Sequence, residues 1–401
     1  MRLVQLCARH ARQGWQELVR PPSQQVAALD GLRALAVLLV IADHFAVTMW
    51  PASGGADTFL LRLPVVHFGW TGVDLFFVLS GFLIGGQVWK ERIQSGSIDF
   101  RRFFLRRAFR IWPLYFAVLI LLASGLGTVR PEAADWLLIS NYFSTDFARS
   151  WSLSSEEMFY LALPAMLLLT PRLPIRLYAV LLAALIPMID LARFVTRAIL
   201  RAEGLVGPVL ENRMYSAFHL HSQALIVGLI ISLVVVRRPE WFRTVGKEHA
   251  RWMVIAASMV MVVAGLALRT VDRQVFAYTA LGLIYGGAML WAMCDRSVLS
   301  APLRARIFYP LSRLSYGMYL NHLLFFSGAA YFFMQLARGW GLPEWGVFLL
   351  GIIVATLISI VMAVATFIAI ERPFLELRRR LIQRRPSAQA ERPAPELRLA
   401  A

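Results

Sequence analysis

Cysteine is nearly absent from this chain: Cys7 and Cys294 are the two in 401 residues. No disulfide framework or metal-binding spacing can be built from so distant a pair. Charge is scarce as well. Asp, Glu, Lys and Arg make up 16% of the residues against 58% hydrophobic ones, and mean hydropathy is +0.61. That balance excludes an ordinary soluble domain and fits a polytopic membrane protein. Acids are the rarer sign, with 24 Asp and Glu against 41 Lys and Arg, for a formal charge of +17. In a soluble protein that excess would suggest nucleic acid. Here the bases lie between apolar spans, where cytoplasmic loops collect them, so no nucleic-acid partner is expected. Residues 1–27 lack the apolar core of a signal peptide.

What is present is a series of apolar stretches of membrane length. They lie near 28–49, 71–89, 109–125, 153–170, 175–196, 217–236, 251–268, 275–293, 313–336 and 345–370. Pro187 and Asp190 predict a kink in the fifth. With the N-terminus inside, the inner segments hold 30 Lys and Arg and the outer ones 10. The expected architecture is therefore an all-α polytopic membrane protein of about ten transmembrane helices, with cytoplasmic N- and C-termini. A basic segment over 1–27, amphipathic or disordered, precedes a membrane domain over 28–373. A basic tail over 374–401 follows, and its composition after Arg385 reads as disordered. High Arg and Ala usage and the lack of a signal peptide suggest a bacterial inner membrane.

The first span carries Arg33 and, eleven residues on, His44 within Asp43-His44. Eleven residues make three helical turns and about 20° more, so the two share a face about 16 Å apart. An ionisable group within a membrane is by default a functional candidate. Histidine can take a proton from a hydroxyl, and arginine offers a donor fork suited to phosphate. A structural ion pair, or Arg33 reaching to the interface, accounts for the same residues.

Four further stretches concentrate polar groups. Gly72-Val73-Asp74 opens the second span, and Ser80-Gly81 lies deeper, where small residues allow helices to approach closely. Asp74 can equally complement the helix dipole. Arg101 to Arg110 form a basic cluster ahead of the third span. Within it Arg107 and Arg110, or Arg106 and Arg110, share a helix face. Such a cluster suits phosphates or anionic lipid, or sets topology alone. Trp151 to Tyr160 contain Glu156 and Glu157 after a Ser-rich helix start, and a capping box accounts for one of them. Ser315 to His322 hold Tyr319 and His322 on one face, as a polar contact within the bundle or as site residues. Glu371-Arg372-Pro373 reads as an interface anchor and helix stop. Neither a suitable cysteine nor a Gly-x-Ser-x-Gly elbow is present for a covalent acyl-enzyme.

In this order the stretches resemble the acyltransferase-3 family of integral membrane acyltransferases, over about residues 25–375. Members include bacterial enzymes that O-acetylate lipopolysaccharide O-antigen, exopolysaccharide and macrolides. The resemblance implies essential roles for Arg33 and His44. It implies support from Asp74, Ser80, Arg107, Arg110, Trp151, Glu156, Tyr319 and His322. Many members read His-x-Arg-x-Asp in the sixth span. Here His219 stands first and His221 and Gln223 replace the Arg and Asp, so the family's roles at those two positions do not carry over. Some members carry a hydrolase-like domain after the last span, which this chain is expected to lack.

The expected reaction is acyl transfer, of acetyl from acetyl-CoA, to a hydroxyl of a carbohydrate or related acceptor. Acyl-CoA is a co-substrate, and neither a metal nor a tightly bound cofactor is expected. Arg33, Arg107 and Arg110 would hold the phosphates and His44 would act as general base, oriented by Asp43, Asp74 or Glu156. A transporter or flippase of a polar or lipid-linked glycan is the rival reading, and an inert scaffold the third.

Overall fold

The computed structural model describes residues 12–21, 26–125, 129–143, 150–240, 248–257, 259, 273–295, 298 and 300–383. The expected disordered tail, most of the seventh span and Cys7 lie outside the described residues. Among those described, secondary structure is helical throughout, without a strand. The main helices are α1 (Ala27–His44), α2 (Gly72–Ser95), α3 (Phe100–Ala123), α4 (Trp151–Leu169), α5 (Ile175–Ala202), α6 (Gly207–Ser216), α7 (Gln223–Arg237), α8 (Arg273–Cys294), α9 (Phe308–Gly339), α10 (Glu344–Thr366) and α11 (Arg372–Gln383). Five helical stretches among the described residues are long and apolar enough to cross a membrane: Ala27–Ala52, Gly69–Ser95, Ile175–Ala202, Phe276–Cys294 and Glu344–Ile382. This is a multi-pass membrane protein.

Helix α5 shows what solvent the fold is built for. Its outward side is Leu177, Val180, Leu181, Leu185, Met188, Leu191, Phe194 and Ile199. Its buried side is Tyr178, Leu182, Asp190, Arg193 and Arg197. A water-soluble helix does the reverse. Charges turned inward and aliphatic side chains turned outward are what hydrocarbon surroundings select. The helix is continuous through Pro187.

Two compact units emerge. The first gathers the described parts of residues 1–72, 101–127 and 301–401, and the second those of 73–100 and 128–300. In the first, α1 runs unbroken to His44 and then widens into a π-helical turn over Phe45–Met49. Phe45 and Trp50 each set a ring edge-on to Phe348 of α10, with centroids 5.2 Å apart. This apolar cluster, with Met49, Met334 and Val347, fixes the end of α1 where the histidine stands.

In the second unit, α2 and α7 cross at reciprocal glycines. A methyl on Gly81 would strike the carbonyl of Leu225, and one on Gly228 the carbonyl of Val78. The sixth span differs from its expected course: the helix starts at Gln223 rather than 217, after α6 and a short 3-10 turn over Phe218–Leu220. Side chains make that break possible. One guanidinium nitrogen of Arg193 donates to the carbonyls of Met214 at 2.8 Å and Leu220 at 2.9 Å. The Nδ1 of His221 lies 2.7 Å from the carbonyl of Tyr215. Irregular backbone buried within a membrane protein persists only where protein groups take its hydrogen bonds.

Candidate active site

The first unit carries Arg33, Asp43, His44, Arg107, Arg110, Tyr319 and His322. Because α1 is continuous from Ala27 to His44, Arg33 and His44 share a face three turns apart. Arg33, Asp43 and His44 are half-buried. Gly69 packs so closely on α1 that a methyl there would lie 2.6 Å from the carbonyl of Leu39 and 2.9 Å from Cβ of Asp43.

His44 meets another histidine. Its Nδ1 is 2.9 Å from Nε2 of His322, and the ring centroids are 5.0 Å apart. Nδ1 of His322 is in turn 2.6 Å from the carbonyl oxygen of Tyr319. A carbonyl can only accept, so His322 Nδ1 carries a proton. With both rings neutral, His322 Nε2 is then an acceptor and His44 Nδ1–H donates to it. The lone pair of His44 therefore stands on Nε2. One backbone carbonyl thus sets the tautomer of two imidazoles. The other polar residues of this stretch hold helices together: Tyr316 donates to the carbonyl of Ile111 at 2.7 Å, and Asn321 to Thr366 Oγ1 at 3.0 Å.

On α3, the Arg107 guanidinium lies 5.6 Å from the Phe103 ring centroid. The charges of Arg110 and Arg313 both bear on Glu371, which is buried. Glu371 and Arg372 thus part company. Arg372 pairs with Glu376 at 2.8 Å and Glu17 at 3.3 Å, tying residues 12–19 to α11.

The second unit carries Asp74, Ser80, Trp151, Glu156 and His219. Asp74 Oδ1 is 2.9 Å from Nε2 of His221, with both side chains fully buried. The His221 ring stacks on Trp151 at 5.4 Å and tilts against Tyr278 at 4.0 Å. Ser80 donates to Oε1 of Glu156, and the Tyr160 hydroxyl to Oε2 at 3.2 Å. Gly81 provides the close helix approach while Ser80 makes a side-chain bond, so these neighbours do different jobs. Tyr142 stacks on His219 and lies 3.0 Å from its Nδ1, in a turn ahead of α7. Burial pushes the His219 pKa down.

His221 and Gln223, the two departures from the family pattern, both face carboxylates. His221 meets Asp74. Gln223 Nε2 donates to Asp190 Oδ1 at 3.0 Å, while the Thr279 hydroxyl reaches Oδ2 at 2.8 Å. Sequence reading did not find the partners Arg193, Tyr215 and Thr279, which lie on separate segments. Among the described residues, no group of three or more His, Cys, Asp or Glu could hold a metal.

Comparison with known proteins gives this arrangement a context. A family described as an acyltransferase domain matches residues 26–364. The chain is 24% identical to the acyltransferase MdmB of Streptomyces mycarofaciens, over 94% of this chain and 97% of that protein. It is 32% identical to the peptidoglycan O-acetyltransferase OatA of Listeria monocytogenes, over 36% of this chain and 24% of that protein. It is 31% identical to the putative peptidoglycan O-acetyltransferase YrhL of Bacillus subtilis, over 52% of this chain and 33% of that protein. No solved structure matches it.

Proposed function

From the premise that the chain belongs to this acyltransferase family, we propose that it transfers an acetyl group from acetyl-CoA to a hydroxyl of a cell-surface carbohydrate or related acceptor. It does so as a ten-helix protein of the bacterial inner membrane, with both termini in the cytoplasm. The charge asymmetry of the loops supports that orientation.

The observation that carries the chemistry is the relay from the Tyr319 carbonyl through His322 to His44. The acceptor hydroxyl gives its proton to Nε2 of His44 while its oxygen attacks the thioester carbonyl carbon. The tetrahedral intermediate collapses, the carbon–sulfur bond breaks, and the proton on His44 passes to the thiolate leaving group. Ester and free thiol are the products, and no acyl-enzyme forms. His322 accepts from His44 Nδ1–H throughout and so stabilises the imidazolium. It is a positioning residue that fills the place given to a carboxylate in the sequence-based expectation.

Arg33, Arg107 and Arg110 hold the phosphates of the donor. Arg33 shares the face of His44 at about 16 Å, a separation that suits an elongated donor with phosphates at one end and a thioester at the other. Asp43, next to His44 on α1, supports the base, while Asp74, Glu156, Ser80, Trp151 and His219 support the second unit.

The test uses membranes containing wild-type or His44→Ala protein, radiolabelled acetyl-CoA and candidate surface glycans. His44-dependent label in a base-labile ester is the expected result. Movement of a glycan without donor, and no such ester, would favour the transport reading instead.

A further inference from the structure

Around Glu371 the first unit collects more positive charge than its carboxylates balance. Arg313, on α9, is half-buried and lies 5.6 Å from the Phe367 ring centroid. The charged groups that reach it are Arg110, Glu371 and Glu17. Glu17 already pairs with Arg372 at 3.3 Å and Arg379 at 3.9 Å. Arg378, on α11, feels the charges of Arg106, Arg107, Arg110 and Arg379, and its guanidinium reaches the Arg106 carbonyl at 3.4 Å. Guanidinium groups from α3 and α9 thus bear on one buried carboxylate, and Arg378 of α11 lies against the same stretch of α3. Like charges repel, and more strongly as the local dielectric falls.

Two buried atoms sharpen the picture. Nε of Arg313 and Oε1 of Glu371 are both shielded from solvent and have no hydrogen-bond partner among the described residues. Gly317 stands beside that oxygen: a methyl there would lie 3.3 Å from it. A polar atom buried without a partner destabilises the fold unless a ligand or water completes it. Arginine forks satisfy phosphate oxygens in pairs.

We propose that Arg313 and Arg378 complete, with Arg107 and Arg110, a site for a ligand bearing more than one phosphate group, and that Glu371 aligns Arg110 and Arg313 in it. This deepens the donor reading above and rests on it for the source of the phosphates. Glu371 is then a positioning residue rather than a helix stop. A phosphorylated nucleotide head and an anionic lipid headgroup share the chemistry, so the test separates them.

The full chain is placed in nanodiscs of neutral phosphatidylcholine and titrated with adenosine 3′,5′-bisphosphate. Arg313→Gln and Arg378→Gln should each weaken binding about tenfold, as expected for losing one charged hydrogen-bond donor. Arg313→Lys should recover part of the loss, and Glu371→Gln should weaken binding through Arg313. Thermal midpoints confirm that each variant is folded. In a second arm, cardiolipin is added to the discs and its retention by the protein is measured. Retention lost in Arg313→Gln, without nucleotide binding by the wild type, would keep the phosphate site and assign it to lipid. Binding of both probes unchanged in folded Arg313→Gln would overturn the proposal. His44-dependent acetyl transfer by the wild type is scored separately, so the donor reading can stand while this site fails.

Discussion

Nε2 of His221 lies 2.9 Å from Oδ1 of Asp74, and neither side chain reaches solvent. Nδ1 of the same ring faces the Tyr215 carbonyl at 2.7 Å and must donate to it. The remaining contact therefore holds one proton between imidazole and carboxyl, as an ion pair or as a neutral acid on a neutral ring. The other carboxyl oxygen, Oδ2, is buried without a hydrogen-bond partner among the described residues.

Removing one member of such a pair should cost more than exchanging it for a neutral donor. Asp74→Leu strands His221 and should lower stability by about 3–5 kcal/mol. Asp74→Asn can donate its amide N–H to His221 Nε2 and should cost roughly 1–2 kcal/mol. Thermal unfolding in detergent reads the difference. Equal losses would mean that the pair holds nothing together.

The crossing of α2 and α7 should tolerate no side chain at its centre. Gly81→Ala drives a methyl into the Leu225 carbonyl and should destabilise by about 1–3 kcal/mol. Ser80→Ala removes the bond to Glu156 without adding volume, so it should leave the midpoint nearer wild type. The reverse order would show that the helices do not cross at Gly81.

His219 should make the turn ahead of α7 acid-sensitive. Burial lowers its pKa, so below about pH 6.5 the unfolded chain binds more protons at this site than the folded one does. Stability contributed by neutral His219 is thus complete above that pH and is lost as pH falls through the folded value. His219→Gln should flatten the acid limb of the midpoint-against-pH curve. An unchanged limb would assign the sensitivity to other groups.

Much of the fold was legible in the sequence because hydrocarbon leaves a simple mark: apolar runs of membrane length interrupted by a few polar residues. Arg33 and His44 could be placed on one face because helical periodicity is local. The break before Gln223 could not be seen, since its carbonyls are satisfied by Arg193 from α5. The partner of His44 was equally hidden: His322 lies 278 positions away, and a carboxylate was the expected orienting group. Glu371 read as the end of a helix because its neighbours Arg110 and Arg313 come from other parts of the chain.

The most direct test of the account is the rate of acetyl transfer from acetyl-CoA by His44→Ala, His322→Ala and His322→Gln, measured beside wild type. His44→Ala should lose the roughly 10²–10⁴-fold contribution of a general base. His322→Ala should lose less, with the KM for acetyl-CoA unchanged. His322→Gln should recover part of that loss, because its amide oxygen can still accept from His44 Nδ1–H. Wild-type rates in His44→Ala would contradict the assignment of the base, and wild-type rates in His322→Ala would contradict the relay.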